Sequence, residues 1–301
     1  WIFRENLNSV VLGVAMVGFM IWRPSGILED WEFDQWLYRK FGRGDEAEPE
    51  RMAELENVPD VQFAASDISV SFGGFQALRG AGITAASGEI VGIIGPNGAG
   101  KTTFVNVITG MVEPTAGRFS IGAEPLEGKA SFELSRSGLV RTFQNLRLFG
   151  ALTVRENVET AALVAREHRG DRTVRDVDSL ISEAGLWEHR HRRARELDYG
   201  NSRRLELARA AAMAPSFMLL DEPTSGMSDT ESVTMIEQVR HMAATVGAGV
   251  IVIDHDLGFI TGISDRIYVF DQGRVIAEGT PGEVQSNKAV QAAYLGSLAE
   301  D

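Results

Sequence analysis

Nine consecutive residues constrain this chain more than any others: Gly95-Pro96-Asn97-Gly98-Ala99-Gly100-Lys101-Thr102-Thr103. They match G-x-x-x-x-G-K-[ST], a loop that cradles phosphate. The apolar run Glu89-Ile90-Val91-Gly92-Ile93-Ile94 precedes it at strand length, and Phe104-Val105-Asn106-Val107-Ile108 follows as the start of a helix. Glycine admits positive φ and leaves no Cβ in the way, so the backbone can wrap an anion closely. Loop amides and the helix N-terminus then direct partial positive charge at it. The motif assigns Lys101 to the β- and γ-phosphates and the Thr102 hydroxyl to Mg²⁺. A strand, a glycine loop and a helix in succession imply an open α/β sheet.

Two further strands end in polar groups. Phe217-Met218-Leu219-Leu220 runs into Asp221-Glu222, and Val250-Ile251-Val252-Ile253 runs into Asp254-His255. In open α/β sheets ligands bind at the carboxyl ends of the strands. Asp221 is therefore expected to hold Mg²⁺, and Glu222 to act as general base on an attacking water. His255 is expected to reach a γ-phosphate, although a lone histidine after a strand is more often structural. Val61 to Phe72 reads as a strand, with Phe72 either stacking on adenine or filling a core. Ile267–Phe270 and Arg274–Ala277, split by Asp271-Gln272-Gly273, read as a hairpin. Between Gly150 and Arg195 the pattern turns helical, which implies a helical subdomain inserted in the α/β core.

The chain has 301 residues, no cysteine and a formal net charge of −13. Disulfides and thiolate metal sites are excluded. The acidic balance argues against a nucleic-acid partner, which calls for a basic face. Residues 1–41 differ from the rest. Leu7 to Trp22 carries no charge and falls somewhat short of the ~20 residues that span a bilayer. It is read as part of a transmembrane helix, with a secretory signal and a buried helix as the other readings. Trp31 to Tyr38 is aromatic and amphipathic, suited to a membrane surface or to packing on a neighbour. Residues 42–60 crowd acidic side chains around Pro49 and Pro59 and read as a linker. The third segment is 61–301, with the helical subdomain at about 147–200.

Taken together, these residues resemble the ATP-binding subunit of ABC transporters over about Val61 to Gly296. Arg141-Thr142-Phe143-Gln144-Asn145 is similar to the family's Q-loop, which implies that Gln144 touches Mg²⁺ and the attacking water. Leu197-Asp198-Tyr199-Gly200-Asn201 sits where the signature motif belongs, so Asp198, Tyr199, Gly200 and Asn201 are expected at a nucleotide. Asp221 to Ser228 resembles Walker B running into the D-loop, His255 the switch histidine and Phe72 the adenine-stacking aromatic. Tyr199-Gly200 before Arg203-Arg204-Leu205-Glu206, and the ending Ala293-Tyr294-Leu295-Gly296, are most similar to the branched-chain amino-acid importer subgroup. Phe19 to Gly26 resembles the C-terminal end of that system's permease, which implies a fused permease–ATPase polypeptide.

The resemblance implies Mg-ATP hydrolysis, two ATPase domains packed head to tail, permease spans and, indirectly, a periplasmic or extracellular solute-binding protein. It also implies the cytoplasmic face of a bacterial inner membrane. The signature departs from the family at Asp198, where a small residue is usual, and at Ser202, where Gln is usual. A carboxylate near a γ-phosphate would slow dimer closure unless it is turned away, protonated or paired with Arg203 or Arg204. Two alternatives accompany this reading: a membrane-anchored regulatory or assembly ATPase, and a weakly hydrolysing half of a heterodimer.

Overall fold

The computed structural model describes residues 47–50, 52, 60–142, 146–169 and 175–297. Two compact units divide between Ala47 and Glu48, and the architecture below is that of the second. The partial transmembrane helix expected at Leu7–Trp22 and the aromatic segment Trp31–Tyr38 lie outside the described residues. Among the described residues, no helix is long and apolar enough to cross a membrane. The described part of the acidic linker touches the domain at two points. Ser182 Oγ donates to Glu48 at 2.7 Å, and the Met52 amide donates to Glu183.

Two sheets form the core. The first is antiparallel, in the order β2-β1-β4-β5, from β1 (Gln62–Phe72), β2 (Phe75–Ala86), β4 (Ala116–Ile121) and β5 (Glu124–Pro125). The second has six strands in the order β10-β9-β3-β8-β7-β6. Its members are β3 (Ile90–Ile94), β6 (Leu139–Arg141), β7 (Phe217–Asp221), β8 (Gly249–Ile253), β9 (Arg266–Asp271) and β10 (Arg274–Gly279). All pairings in it are parallel except the β9–β10 hairpin.

The parallel strands are almost continuously apolar because both faces are covered, as parallel sheets require. Successive side chains point to opposite faces, and the sequence divides accordingly. Val91, Ile93, Phe217, Leu219, Ile251 and Ile253 join the cluster under the antiparallel sheet. Ile90, Ile94, Met218, Leu220, Val250 and Val252 join the cluster under the helices. Phe63 meets Phe217 across the first cluster at 5.9 Å, and Phe104 meets Phe270 edge-on at 5.2 Å. Arg266 pins the two sheets together. Its guanidinium donates to Thr84 O at 3.0 Å in one sheet and pairs with Glu89 and Glu278 around the other. Those carboxylates raise its pKa further above an already high value.

The helices are α1 (Lys101–Ile108), α2 (Ser131–Arg136), α3 (Val154–Arg169), α4 (Val177–Glu183), α5 (Tyr199–Ala212), α6 (Asp229–Val246), α7 (Leu257–Ile263), α8 (Pro281–Ser286) and α9 (Lys288–Ser297). Helices α3, α4 and α5 pack on one another, so helical packing continues through Ala212, past residue 200. Helix α6 is bounded by strong signals. Ser228 and Glu231 form a capping box, and Gly247 closes the end at φ 67°.

Leu219 is fully buried on β7, two residues before Asp221. Leu219→Ala should destabilise the fold by ~2–5 kcal/mol, the usual cost of such a cavity, read as a lower midpoint in urea unfolding. An unchanged midpoint would mean that the sheet can collapse around the gap.

Candidate active site at the strand ends

Parallel register brings the predicted groups to one edge. Ile93 and Asp221 both pair with Ile253, so β3, β8 and β7 finish in one row. From β3 the chain enters the glycine loop, from β7 it enters Asp221-Glu222, and from β8 it enters Asp254-His255.

The loop needs its glycines for two different reasons. At Gly95 (φ 152°) an added Cβ would stand 2.1 Å from Phe270 O, and at Gly100 (φ 102°) 2.9 Å from Ala77 O. Around Gly98 (φ 78°) there is open space. So Gly95 and Gly100 fit the loop to the fold, whereas Gly98 keeps its outer face clear. Helix α1 begins at Lys101, and Thr102 and Thr103 form its first turn. Lys101 Nζ folds back to donate to Gly95 O (2.5 Å) and Pro96 O (3.0 Å). Burial holds its ammonium below the ordinary lysine pKa, and the charge of Glu222 partly opposes that. The two groups therefore share one field. Pro96, Asn97 and Ala99 line a cavity of about 580 Å³ with Asp271, Gln272 and helix α9. On that helix Tyr294 is half-buried. Burial pushes its phenol up, against a backbone hydrogen bond from Gly95.

Asp221 is nearly buried and forms a 2.6 Å ion pair with Arg141. The same guanidinium donates to Asn106 Oδ1 and Thr109 Oγ1, both at 2.9 Å. Arg141 thus ties the acidic strand to the side of α1. Glu222 takes a left-handed backbone at φ 49°, uncommon outside glycine, and its amide donates to Ile253 O at 2.8 Å. Strain of this kind collects at functional sites. Asp254, 1% exposed, holds both neighbours. Its Oδ2 accepts from Thr224 Oγ1 at 2.6 Å, and its Oδ1 accepts from the His255 amide at 2.8 Å. His255 Nδ1 stands 3.3 Å from Asp254 Oδ1 while its ring remains 69% exposed. Among the described residues, no group of three or more His, Asp or Glu side chains is arranged to hold a metal unaided.

Phe72 occupies a hairpin tip, paired with Phe75 across Gly73-Gly74, and is 51% exposed. It does not fill a core. Gln144 lies outside the described residues, as do Phe143 and Asn145. Thr142, just before them, is buried, and its amide donates to Leu219 O.

Asp198, Tyr199, Gly200 and Asn201 open α5, separate from the glycine loop in sequence. Asp198 is the N-cap of that helix. Its Oδ1 accepts from the Asn201 amide and its Oδ2 from Asn201 Nδ2, both at 2.8 Å. These bonds lower its pKa, with smaller help from His189 and Arg204. Arg203 does not pair with it. Buried Arg203 bonds Glu206 and the Tyr199 hydroxyl instead. The residues that sequence reasoning left without a role are Arg141 and Asp254. Both lie inside sequence motifs, and only the contacts they make in the fold single them out.

Asp254→Ala should leave Thr224 and His255 unsupported and lower turnover far more than nucleotide binding. Equal turnover would show that the two strand ends hold themselves. Asp198→Ala should cost ~0.5–2 kcal/mol of stability as a lost cap, with Ser restoring most of it. Because its folded pKa is lowered, the Asp198 contribution is present above the ordinary carboxylate range and fades as pH falls through the lowered value. A thermal melt of the Ala and Ser variants at neutral and acidic pH checks both points. Equal melting of the two variants would contradict the cap.

The family model described as ABC transporter matches residues 78–225, and that described as Branched-chain amino acid ATP-binding cassette transporter matches 274–300. The high-affinity branched-chain amino acid transport ATP-binding protein LivG of Salmonella typhimurium is 36% identical over 247 residues, covering 77% of this chain and 97% of that protein. BraF of Pseudomonas aeruginosa, which carries the same description, is 34% identical, covering 77% and 96%. Among solved structures, an ATP-binding cassette of an ABC transporter in its ADP conformation superimposes with a TM-score of 0.69. It is 28% identical and covers 78% of this chain and 99% of that one.

Proposed function

This chain belongs to the ABC transporter ATP-binding family, and we propose that it hydrolyses Mg-ATP at the edge where β3, β7 and β8 end. The observation that carries this is the glycine loop with Lys101 in the field of Glu222. The donor set fits the cofactor. Mg²⁺ usually takes one or two protein oxygens and completes its shell with phosphate and water. Exposed Thr102 and the Asp221 carboxylate supply such oxygens, and Gln144 is assigned as a third. The ion, when bound, neutralises charge on the phosphates.

The chain's own groups do the remainder. The amides of Gly98 to Thr103 and the Lys101 ammonium hold the β- and γ-phosphates. Glu222 takes the proton from a water aligned behind the γ-phosphorus. His255 stays exposed at the same edge, able to reach that phosphate while Asp254 fixes its backbone. Phe72 offers an open ring to adenine. Phosphoryl transfer of this kind is driven by positioning and charge stabilisation. The signature turn Asp198–Asn201 serves a second domain's nucleotide, which requires two such domains packed head to tail.

The transported solute is a branched-chain amino acid or a close relative. Support comes from the names of LivG and BraF and from the match over residues 274–300. We read residues 1–41 as the end of a permease joined through the linker 42–60. In that reading the ATPase works at the cytoplasmic face of a bacterial inner membrane with permease spans and a solute-binding protein.

Glu222→Gln should bind ATP normally and lose nearly all turnover, whereas Lys101→Ala should weaken ATP binding itself. Titration with a fluorescent ATP analogue beside a phosphate-release assay separates the two. Full turnover in Glu222→Gln would remove that residue from the chemistry.

A further inference from the structure

We propose that Tyr199 is a positioning residue for the turn Glu222–Met227 of its own chain, fixing the general base from the helical layer. This rests on the reading of Glu222 given above. The Tyr199 hydroxyl stands 2.5 Å from Ser225 O. Arg203 Nε and Nη2 approach the same hydroxyl at 3.1 and 2.9 Å. A tyrosine hydroxyl has one proton to give and two lone pairs, while a guanidinium only donates. The proton of Tyr199 must therefore go to the Ser225 carbonyl, and both lone pairs face Arg203. Arg203 cannot swing away. It is 3% exposed, and its Nη1 forms a 2.9 Å ion pair with Glu206, itself buried.

The carbonyl so captured belongs to a tight turn. The Ser225 amide donates to Glu222 O and the Met227 amide to Thr224 O. Gly226, at φ 80°, lies under the phenol ring, and a Cβ there would sit 3.7 Å from the ring carbons. Asp254 holds this turn from β8 through Thr224, and Tyr199 holds it from α5 through Ser225. Glu222, with its left-handed backbone, is the first residue of the clamped segment. The consequence is mechanical. The signature turn at the head of α5 and the base-bearing turn after β7 move as one piece, so a displacement of α5 alters the reach of Glu222.

The test uses Tyr199→Phe in the full chain, which keeps the ring and removes the bond. Hydrogen exchange over Glu222–Ser228 should quicken about three- to tenfold, the range one lost hydrogen bond gives. The kcat for ATP should fall by a similar factor, and because the backbone and ring that the signature turn offers a second domain's nucleotide are kept, KM should change less than kcat. Arg203→Lys keeps a charge for Glu206 while giving up part of the grip on the hydroxyl, so it should give an intermediate quickening even if the first variant folds poorly. Unchanged exchange and kcat would overturn the proposal. So would a rise in KM at constant kcat, which would place the hydroxyl at the nucleotide instead. The exchange readout does not need Glu222 to be the base. Full turnover in Glu222→Gln with quickened exchange in Tyr199→Phe would therefore sink the base assignment and leave the clamp standing.

Discussion

The row formed by Ile93, Ile253 and Asp221 across three parallel strands is the constraint on which everything else depends. A one-residue slip of any strand would exchange its faces. It would send Leu219 toward the helices and turn Asp221 out of line with Lys101. The register is held because each strand is apolar on both faces and each face has its own cover. The antiparallel sheet and α1 seal one side, and the helices α3, α5 and α6 contribute to the other. The site is thus a by-product of packing. Once the strands end level, the loops that follow must converge.

Convergence alone does not set the angle of a side chain, and here buried polar groups take over. Asp254 and Arg141 act as struts between neighbouring strand ends. Asp254 ties the turn after β7 to the turn after β8. Arg141 ties Asp221 to Asn106 on α1 and to Thr109 at its C-cap. Asp254 is buried and the Arg141 side chain nearly so, and charge withdrawn from water is tolerable only when it is paired. That dependence makes them rigid. The left-handed backbone of Glu222 is sustained by the same arrangement, since it lies between a strand bond to Ile253 and a turn closed by Thr224.

Much of this was legible in the sequence, for identifiable reasons. The glycine loop, the two strands ending in acid and the β9–β10 hairpin all carry local signals: glycine spacing, apolar runs and turn residues. Strand β2 was not legible, because Gly80, Gly82 and four alanines between Phe75 and Ala86 give it little of the alternation that marks a strand. Phe72 reads equally as an adenine-stacking ring or a core residue, and only the tight Gly73-Gly74 turn puts it at a tip. Asp198 stood out as a break in a pattern. Sequence spacing shows a carboxylate one residue before a helix but not what it binds, and here the local amides of Asn201 claim it. Arg141 and Asp254 were hidden for a deeper reason: their roles exist only between elements far apart in the chain.

The central claim is that the loop after β3 and the turn after β7 form one nucleotide site. Hydrogen exchange of the full chain with and without Mg-ATP tests it most directly. The account predicts that Gly95–Thr103 and Asp221–Met227 both slow on adding Mg-ATP, while Gln62–Ala65 and β4 exchange as before. If ATP binds and the exchange of these two segments does not change, the nucleotide sits elsewhere and the account is wrong.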